Sequence, residues 1–584
     1  MFLRFVLFAL FLKVFNPLIA HSKDSSLYYF VYFSNKNSSF KINKPEEFLS
    51  SKAIKRREKF GIQIDSSDLP VNIEYIEEFK RISGIKVIGA SKWLNGLEFT
   101  VDKTEGVTNQ QINSILKKIS EKPNIKSIKY LGVLETNHVN RDSIEVDAQF
   151  YIESEKLKSI KKDSVICAFN EKDYGKSFDH SKAISLPVIS ALSGKMNNFH
   201  IAVFDAGFHN AYKIKGMEDL LDTGLIIRDF VDYDNSVWED DQHGCNVLGF
   251  LKTYNPGYYI GSAPFANYTL IRTENANLES LTEEVNWLLA AEFVDSLGVD
   301  LISASVGYHS FDEKILSHTY EETTGDSSII SKAANKAYNK GIMVVVSAGN
   351  EGNRSWRHIG FPADAKHAIS IGACDAEGIY AKFSSMGPTI DGRIKPNFLV
   401  PGYKVNVASI NGFYSGNGTS YSTPIFSGAL AQLMFLHPNL PLDSIKKALL
   451  SSSTHRHIPD SLYGYGIPDF ALASRILSGF ESINEDLYWV NQNATILQDL
   501  NLFFVSSQFQ NVKFYIYTSI KGKRRSIYKK VYVLNKGEVL ESDLMLQYFL
   551  SKKQLRRKKW RLSNLELVFE TANGTFQKTF QIRQ

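Results

Sequence analysis

The chain has 584 residues, 43% of them hydrophobic and 22% charged, with a net charge of +5. That length is too great for one ordinary core and points to two to four domains of normal globular composition. So small a charge argues against a nucleic-acid-binding surface and against a polybasic membrane contact.

Residues 1–22, MFLRFVLFALFLKVFNPLIAHS, combine an early Arg4, an apolar run and small residues around Ala20 and Ser22. They read as an export signal, with retention as an anchor the alternative because Lys13 interrupts the run. No later stretch reaches the roughly 18 apolar residues of a membrane span, so no transmembrane helix is expected in the mature chain. Residues 23–135 alternate strand-like and helix-like runs. LYYFVYF, WLNGLEFTV and IKSIKYLGV are expected strands, and SSKAIKRREKFGI and VTNQQINSILKKIS amphipathic helices, which makes a small α+β unit. The charged, motif-poor residues 136–194 read as a linker and the start of the mature region.

Between 195 and 480 the pattern changes. HIAVFDAG, NYTLIRT, VDLISASVG, IMVVVSAGN and AISIGAC are short and continuously apolar, as in strands buried on both faces. Helical segments such as SLTEEVNWLLAAEFVDSLG lie between them. The alternation predicts an α/β domain, a mostly parallel sheet with helices on both faces, and a site at the C-terminal ends of its strands. Residues 481–584 lose the helices; NLFFVSSQ, VKFYIYTSI, IYKKVYVL, NLELVFET and FQKTFQI predict a β-sandwich. Three cysteines, Cys167, Cys245 and Cys374, are too few for a disulfide framework and leave at least one thiol unpaired within the chain.

A serine hydroxyl needs a base to take its proton, and the base needs an orienting carboxylate. Asp205 ends the run HIAVFD, His243 opens an apolar helix before Gly244, Asn350 ends VVVSAGN, and Ser420 stands in NGTSYSTP at an expected helix start. Pro424 is expected in the first turn of that helix, which would run from Ile425 to Leu436. Each residue alone is most simply a turn or a cap. Together, in the order Asp, His, Asn, Ser, they resemble the signatures of the subtilisin-like serine peptidases: DAG, HG, SAGNEG and GTSYSTP. The separations of 38 residues from Asp205 to His243 and 70 from Asn350 to Ser420 also resemble that family, as do SVG, GFPA, FSSMGP and GYGIPD. The Gly-x-Ser-x-Gly of lipases and the His-Glu-x-x-His of zinc peptidases are absent.

The resemblance covers about residues 195–480. It implies a serine endopeptidase with Asp205, His243 and Ser420 as catalytic triad and Asn350 as oxyanion donor. It further implies substrate binding by Ser305, Val306, Gly307 and Tyr308, by Ser347, Ala348 and Gly349, and by Gly360. Tyr308 stands where many relatives carry glycine and is expected to narrow the rim of the primary pocket, and Cys245 beside the base introduces a thiol. No cofactor is implied for the chemistry and no metal ligand is assigned; structural calcium occurs in relatives, and FVDYDNSVWEDD is the carboxylate-rich stretch here. By position and pattern, residues 23–135 resemble a propeptide acting as intramolecular chaperone and inhibitor, cut away between about 135 and 172. The expected partners are therefore protein or peptide substrates and the chain's own propeptide, with no nucleic acid. The expected location is secreted, periplasmic or on the cell envelope. The alternative is a catalytically silent relative serving as an envelope binding or adhesion protein.

Overall fold

The computed structural model describes residues 25–103, 108–135, 171–196, 198–222, 224–238 and 241–478, and seven strands between 487 and 581. The expected export signal, residues 136–170 with Cys167, and the pair Glu239-Asp240 lie outside the described residues.

The N-terminal unit is an antiparallel sheet of β1 (Ser25–Phe33), β2 (Ile85–Ser91), β3 (Gly96–Lys103) and β4 (Ile125–Glu135), in the order β2-β3-β1-β4. Helices α1 (Ser51–Phe60), α2 (Ile73–Lys80) and α3 (Asn109–Ser120) complete it. The two helices expected from sequence form as α1 and α3; α2 and β2 are additions. Each helix start has a chemical cause. The Ser50 hydroxyl accepts from the Ala53 N–H at 3.1 Å, and Thr108 with Gln111 forms a reciprocal capping box. Gly61 ends α1 in the left-handed region at φ 64°.

Helices α4 (Glu171–Tyr174), α5 (Phe178–Ala183) and α6 (Leu186–Ser193) follow. Tyr174, Ile184, Leu186 and Ile189 are fully buried in the main apolar cluster, so from residue 171 on the stretch expected as linker and start of the mature region packs into the core.

The centre is a seven-stranded sheet, parallel throughout. Its strands are β5 (His200–Asp205), β6 (Ile226–Asp229), β9 (Asn267–Arg272), β10 (Leu301–Ala304), β11 (Met343–Ser347), β12 (Ile369–Cys374) and β13 (Phe398–Pro401), in the order β13-β12-β11-β10-β5-β9-β6. Two hairpins lie outside it, β7 (Tyr254–Asn255) with β8 (Tyr259–Ile260), and β14 (Val405–Ser409) with β15 (Gly412–Gly416). Every residue of β5, β10, β11, β12 and β13 is buried. The two-residue period of a strand divides them between two cores. Ile201, Val203, Met343 and Val345 face one cluster, and Ala202, Phe204, Val344 and Val346 the other. The first cluster is closed by α7 (His243–Lys252), α10 (Thr419–Leu436), α11 (Leu442–Ser452) and α12 (Phe470–Leu477); the second by α8 (Thr282–Leu297) and α9 (Ile329–Asn339). Helix α10 is buried from Thr419 to Met434; side chains such as Phe426, Leu430 and Leu433 each contribute about 1.5–3 kcal/mol.

The last strands form two antiparallel sheets. One is β16 (Leu487–Val490), β17 (Leu502–Val505) and β20 (Val539–Glu541); the other is β19 (Lys523–Leu534), β18 (Gln510–Ile520), β21 (Asn564–Thr571) and β22 (Gly574–Gln581). Among the described residues of this region, these seven strands are the regular elements.

Candidate active site

The predicted site residues gather at the C-terminal edge of the parallel sheet. Asp205 is the last residue of β5 and is fully buried. Its Oδ1 accepts from the Ala206 N–H at 2.9 Å and pairs with His243 Nδ1 at 2.7 Å. His243 is the first residue of α7, and its own N–H donates to Asp241 Oδ1 at 2.6 Å. The following glycine makes the approach feasible. A Cβ on Gly244 would lie 2.3 Å from the Gly207 carbonyl oxygen and 2.8 Å from Asp205 Cβ. Burial opposes charge on the His243 imidazole, but Asp205, by charge and by hydrogen bond, outweighs it. With Glu274 and Asp241 adding to the effect, the imidazole is held up at about 9.

Ser420 is the second residue of α10 and 8% exposed. The helix starts at Thr419, six residues before the expected start at Ile425, so Pro424 lies inside it rather than in the first turn. Proline has no N–H, and the carbonyl four residues back, that of Ser420, therefore has no helical donor. Ser305 Oγ supplies one at 3.0 Å, and the Ser420 hydroxyl donates in return to the Ser305 carbonyl at 3.2 Å. The described hydroxyl thus rests on Ser305, not on His243. The ring of Tyr421 stacks toward His243, with centroids 6.5 Å apart, and rests on Phe250 at 5.2 Å.

Asn350 stands on the exposed turn after β11, reached through Gly349 at φ 105°. Its Oδ1 accepts from the backbone N–H of Thr419 at 3.0 Å and is 3.1 Å from Thr419 Oγ1. A backbone N–H can only donate, so the oxygen must face Thr419 and the NH2 end faces away from it. Three predicted binding segments meet beside this turn. Tyr308 and Phe361 exchange two backbone hydrogen bonds of 2.8 Å, the Gly360 N–H reaches the Ala348 carbonyl at 3.4 Å, and a Cβ on Gly360 would lie 2.9 Å from the Tyr308 carbonyl oxygen. Val306, Ser347 and Ala348 are buried and Gly307 is exposed. Tyr308, expected at a rim, is 1% exposed, and its ring packs on Phe311.

Glu274 was not singled out by the sequence, where it reads as part of the turn after NYTLIRT. It lies two residues beyond Arg272, which pairs with Asp205 in the sheet register, and the intervening Thr273 N–H donates to the Asp205 carbonyl at 3.0 Å. Burial, then the charges of Asp205 and Glu279, push its carboxyl up to about 8, against the opposing pull of His243. The usable signal was position: a polar residue just past the C-terminal end of a strand next to β5. Cys245 is buried, and burial followed by Asp205 pushes its thiol up to about 12, which disfavours the reactive thiolate.

In the carboxylate-rich stretch, Glu239 and Asp240 lie outside the described residues, and the described carboxylates there and just before it have partners within the protein. Asp229 and Asp232 both bind Arg272, at 3.1 and 2.5 Å, and Asp234 accepts a turn N–H from Ser236. Among the described residues no group of three or more His, Cys, Asp or Glu is arranged to hold a metal ion.

The sequence profile of the Subtilase family matches residues 197–466, and that of the Peptidase S8 propeptide domain of Bacteroidota matches residues 28–144. The minor extracellular protease Epr of Bacillus subtilis (strain 168) is 28% identical over 288 residues, 48% of this chain and 38% of that protein. The serine protease AprX of the same organism is 27% identical over 299 residues, 46% of this chain and 64% of that protein. The chain therefore spans about a third to two thirds of the length of these relatives. Among solved structures, the epidermin leader peptide processing serine protease EpiP of Staphylococcus aureus shares the fold at 18% identity, with a TM-score of 0.50 over 78% of this chain and all of that one. Each matched by its own profile, a propeptide domain is followed in this chain by a peptidase domain of the subtilase family.

Proposed function

We propose that the chain is an exported serine endopeptidase, made as a zymogen, that hydrolyses peptide bonds through an acyl-enzyme on Ser420. The observation that carries this reading is the 2.7 Å pairing of Asp205 with His243 Nδ1, because it dedicates Nδ1 to the carboxylate and leaves Nε2 to act as base. Ser420 Oγ attacks the carbonyl carbon while His243 takes its proton. The tetrahedral oxyanion is held by the Asn350 NH2 and the Ser420 N–H at the start of α10, where the helix dipole also favours negative charge. His243 then protonates the leaving amine, and water, activated by the same imidazole, hydrolyses the ester. Asp205 keeps the tautomer and stabilises the imidazolium.

Apolar Val306 and Ala348, with Gly360 adding no side chain, support cleavage after large apolar residues. A buried Arg or Lys side chain would find no acidic partner in these segments. Residues 1–22 act as the export signal in this reading, and residues 23–135 as the chaperone and inhibitor, removed between about 135 and 172. Among the described residues no helix is long and apolar enough to cross a membrane.

The test is a serine-directed phosphonofluoridate followed by mass spectrometry of the peptide carrying Ser420. Labelling of Ser420 is expected. Ser420→Ala should abolish both labelling and nearly all peptidase activity, leaving on the order of 10³–10⁴ over the uncatalysed rate. An unlabelled, inactive wild-type chain would favour the silent relative instead.

A further inference from the structure

Helix α1 carries Arg56 and Arg57 side by side, and both are buried, at 4% and 1% exposure. They enter the peptidase where α8 and α9 end. Arg56 donates through Nη1 to the Val299 carbonyl at 2.5 Å, through Nη2 to the Asp295 carbonyl at 3.0 Å, and through Nε to the Lys340 carbonyl at 3.1 Å. These are C-terminal carbonyls of two helices, the negative ends of two dipoles and natural sites for a cation. Between them the fully buried Asp295 binds Arg56 at 2.5 Å, Arg57 at 2.8 Å and Lys92 at 3.4 Å. The charges also cross in the other direction. Asp68 of the N-terminal unit holds Lys340 of the peptidase at 2.7 Å and Arg57 at 2.6 Å. One turn on, Phe60 packs against the main apolar cluster beside a cavity of about 160 Å3 lined by Phe199, Met434, Leu442 and Ile445.

This contact is remote from the site. Asp300 lies between α8 and β10, and its side chain and carbonyl accept from the first residues of β5 and β11. The arginine contact therefore stands at the N-terminal edge of the sheet. The strand β5 puts Asp205 five residues on from His200, roughly 17 Å at 3.3 Å per residue. A second contact holds the unit elsewhere: Glu313 accepts from the Val133 N–H at 2.6 Å and from Tyr130 Oη at 3.1 Å.

We propose that Asp295, with the carbonyls of Val299 and Lys340, forms an exosite for the Arg56-Arg57 pair, and that this exosite holds the N-terminal unit on the peptidase after the chain between them is cut. The occupant is the chain's own α1. The inference rests on the zymogen reading above and names what retains the propeptide. Cleavage of the connecting segment leaves every one of these bonds intact. Release then requires breaking a buried, multiply bonded charge cluster, and such clusters govern off-rate more than on-rate.

The experiment uses the full chain with Ser420→Ala and a recognition site for a foreign protease placed within residues 136–170. After complete cutting, gel filtration and dissociation kinetics follow the two pieces. The parent is expected to stay associated. Asp295→Asn, and separately Arg56→Gln with Arg57→Gln, should weaken the cut complex about 30- to 1,000-fold, mainly through a faster off-rate. Combining Asp295→Asn with the arginine changes should cost little more than either alone, the mark of a direct interaction. If Asp295→Asn lowers the melting temperature of the uncut chain to the point of unfolding, the Asp68→Asn and Lys340→Met pair, compared singly and together, decides by the same logic. Separation of the parent pieces, unchanged affinity in the variants, or strictly additive losses would overturn the proposal. No peptidase activity is needed for this readout, so its failure is distinguishable from failure of Ser420 labelling.

Discussion

At the C-terminal edge of the seven-stranded sheet, Asp205, His243, Asn350 and Ser420 are set by backbone approach. Gly244 has no room for a Cβ against Gly207 and Asp205, and a Cβ on Gly349 would lie 2.8 Å from Ser385 Oγ. At the N-terminal edge, long side chains bridge the space: Arg56, Arg57 and Lys92 converge on Asp295, and Lys340 on Asp68. The first edge brings backbone segments into close approach and tolerates no added carbon there. The second tolerates changes of shape but not of charge. Precision is built from short-range repulsion where chemistry is placed, and adhesion from charge where two units meet.

Three changes at the site end sharpen that contrast. Asn350→Ala removes one oxyanion donor and should lower kcat by roughly 10²–10³ with little change in KM; steady-state kinetics on a peptide substrate reads this, and a pure KM effect would reassign Asn350 to substrate positioning. Gly244→Ala adds a single methyl group. The start of α7 must then move off Asp205 by about 1 Å, which is expected to cost on the order of 10² in kcat/KM. The loss should come with no comparable loss of binding to a substrate-like inhibitor. Full activity in this variant would show that the edge is softer than its close contacts imply.

The smallest effect concerns pH. His243 must be neutral to act as base, and with its imidazole held up at about 9, kcat/KM should rise with pH until about 9. Glu274, whose carboxyl titrates at about 8, is ionised on the upper part of that limb and helps to raise the imidazole. Glu274→Gln removes that charge, so the imidazole loses its proton at lower pH. The limb should move toward acid, with kcat/KM at pH 8 raised by up to about tenfold and no change well above pH 9. A limb that stays in place would separate Glu274 from the site.

The sheet was legible because strands such as HIAVF and MVVVS are buried on both faces, and burial on both faces writes a continuous apolar run. The candidate site was legible because Asp205 ends a strand, Asn350 follows one, and His243 and Ser420 stand at helix starts, in a fixed order beside glycines. Other features left no comparable trace. Arg56 and Arg57 look like the solvated face of an amphipathic helix, and their partner Asp295 lies some 240 residues on, inside an apolar stretch that reads simply as core helix. Pro424 invited a late start for α10, since nothing local shows that Ser305 relieves the carbonyl that the proline leaves without a donor. Leu186–Ser193 is apolar enough to be core, but its charged neighbourhood hides it within the stretch that reads as linker and start of the mature region.

The reciprocal bonds between Ser305 and Ser420 have a kinetic consequence. In the proposed mechanism the Ser420 hydroxyl must leave the Ser305 carbonyl and turn to the imidazole before it can react. That turn exchanges one acceptor for another. It therefore enters every acylation rate as an occupancy: reactivity is scaled by the fraction of time the hydroxyl faces His243. A substrate backbone that itself donates to the Ser305 carbonyl would evict the hydroxyl and raise that fraction.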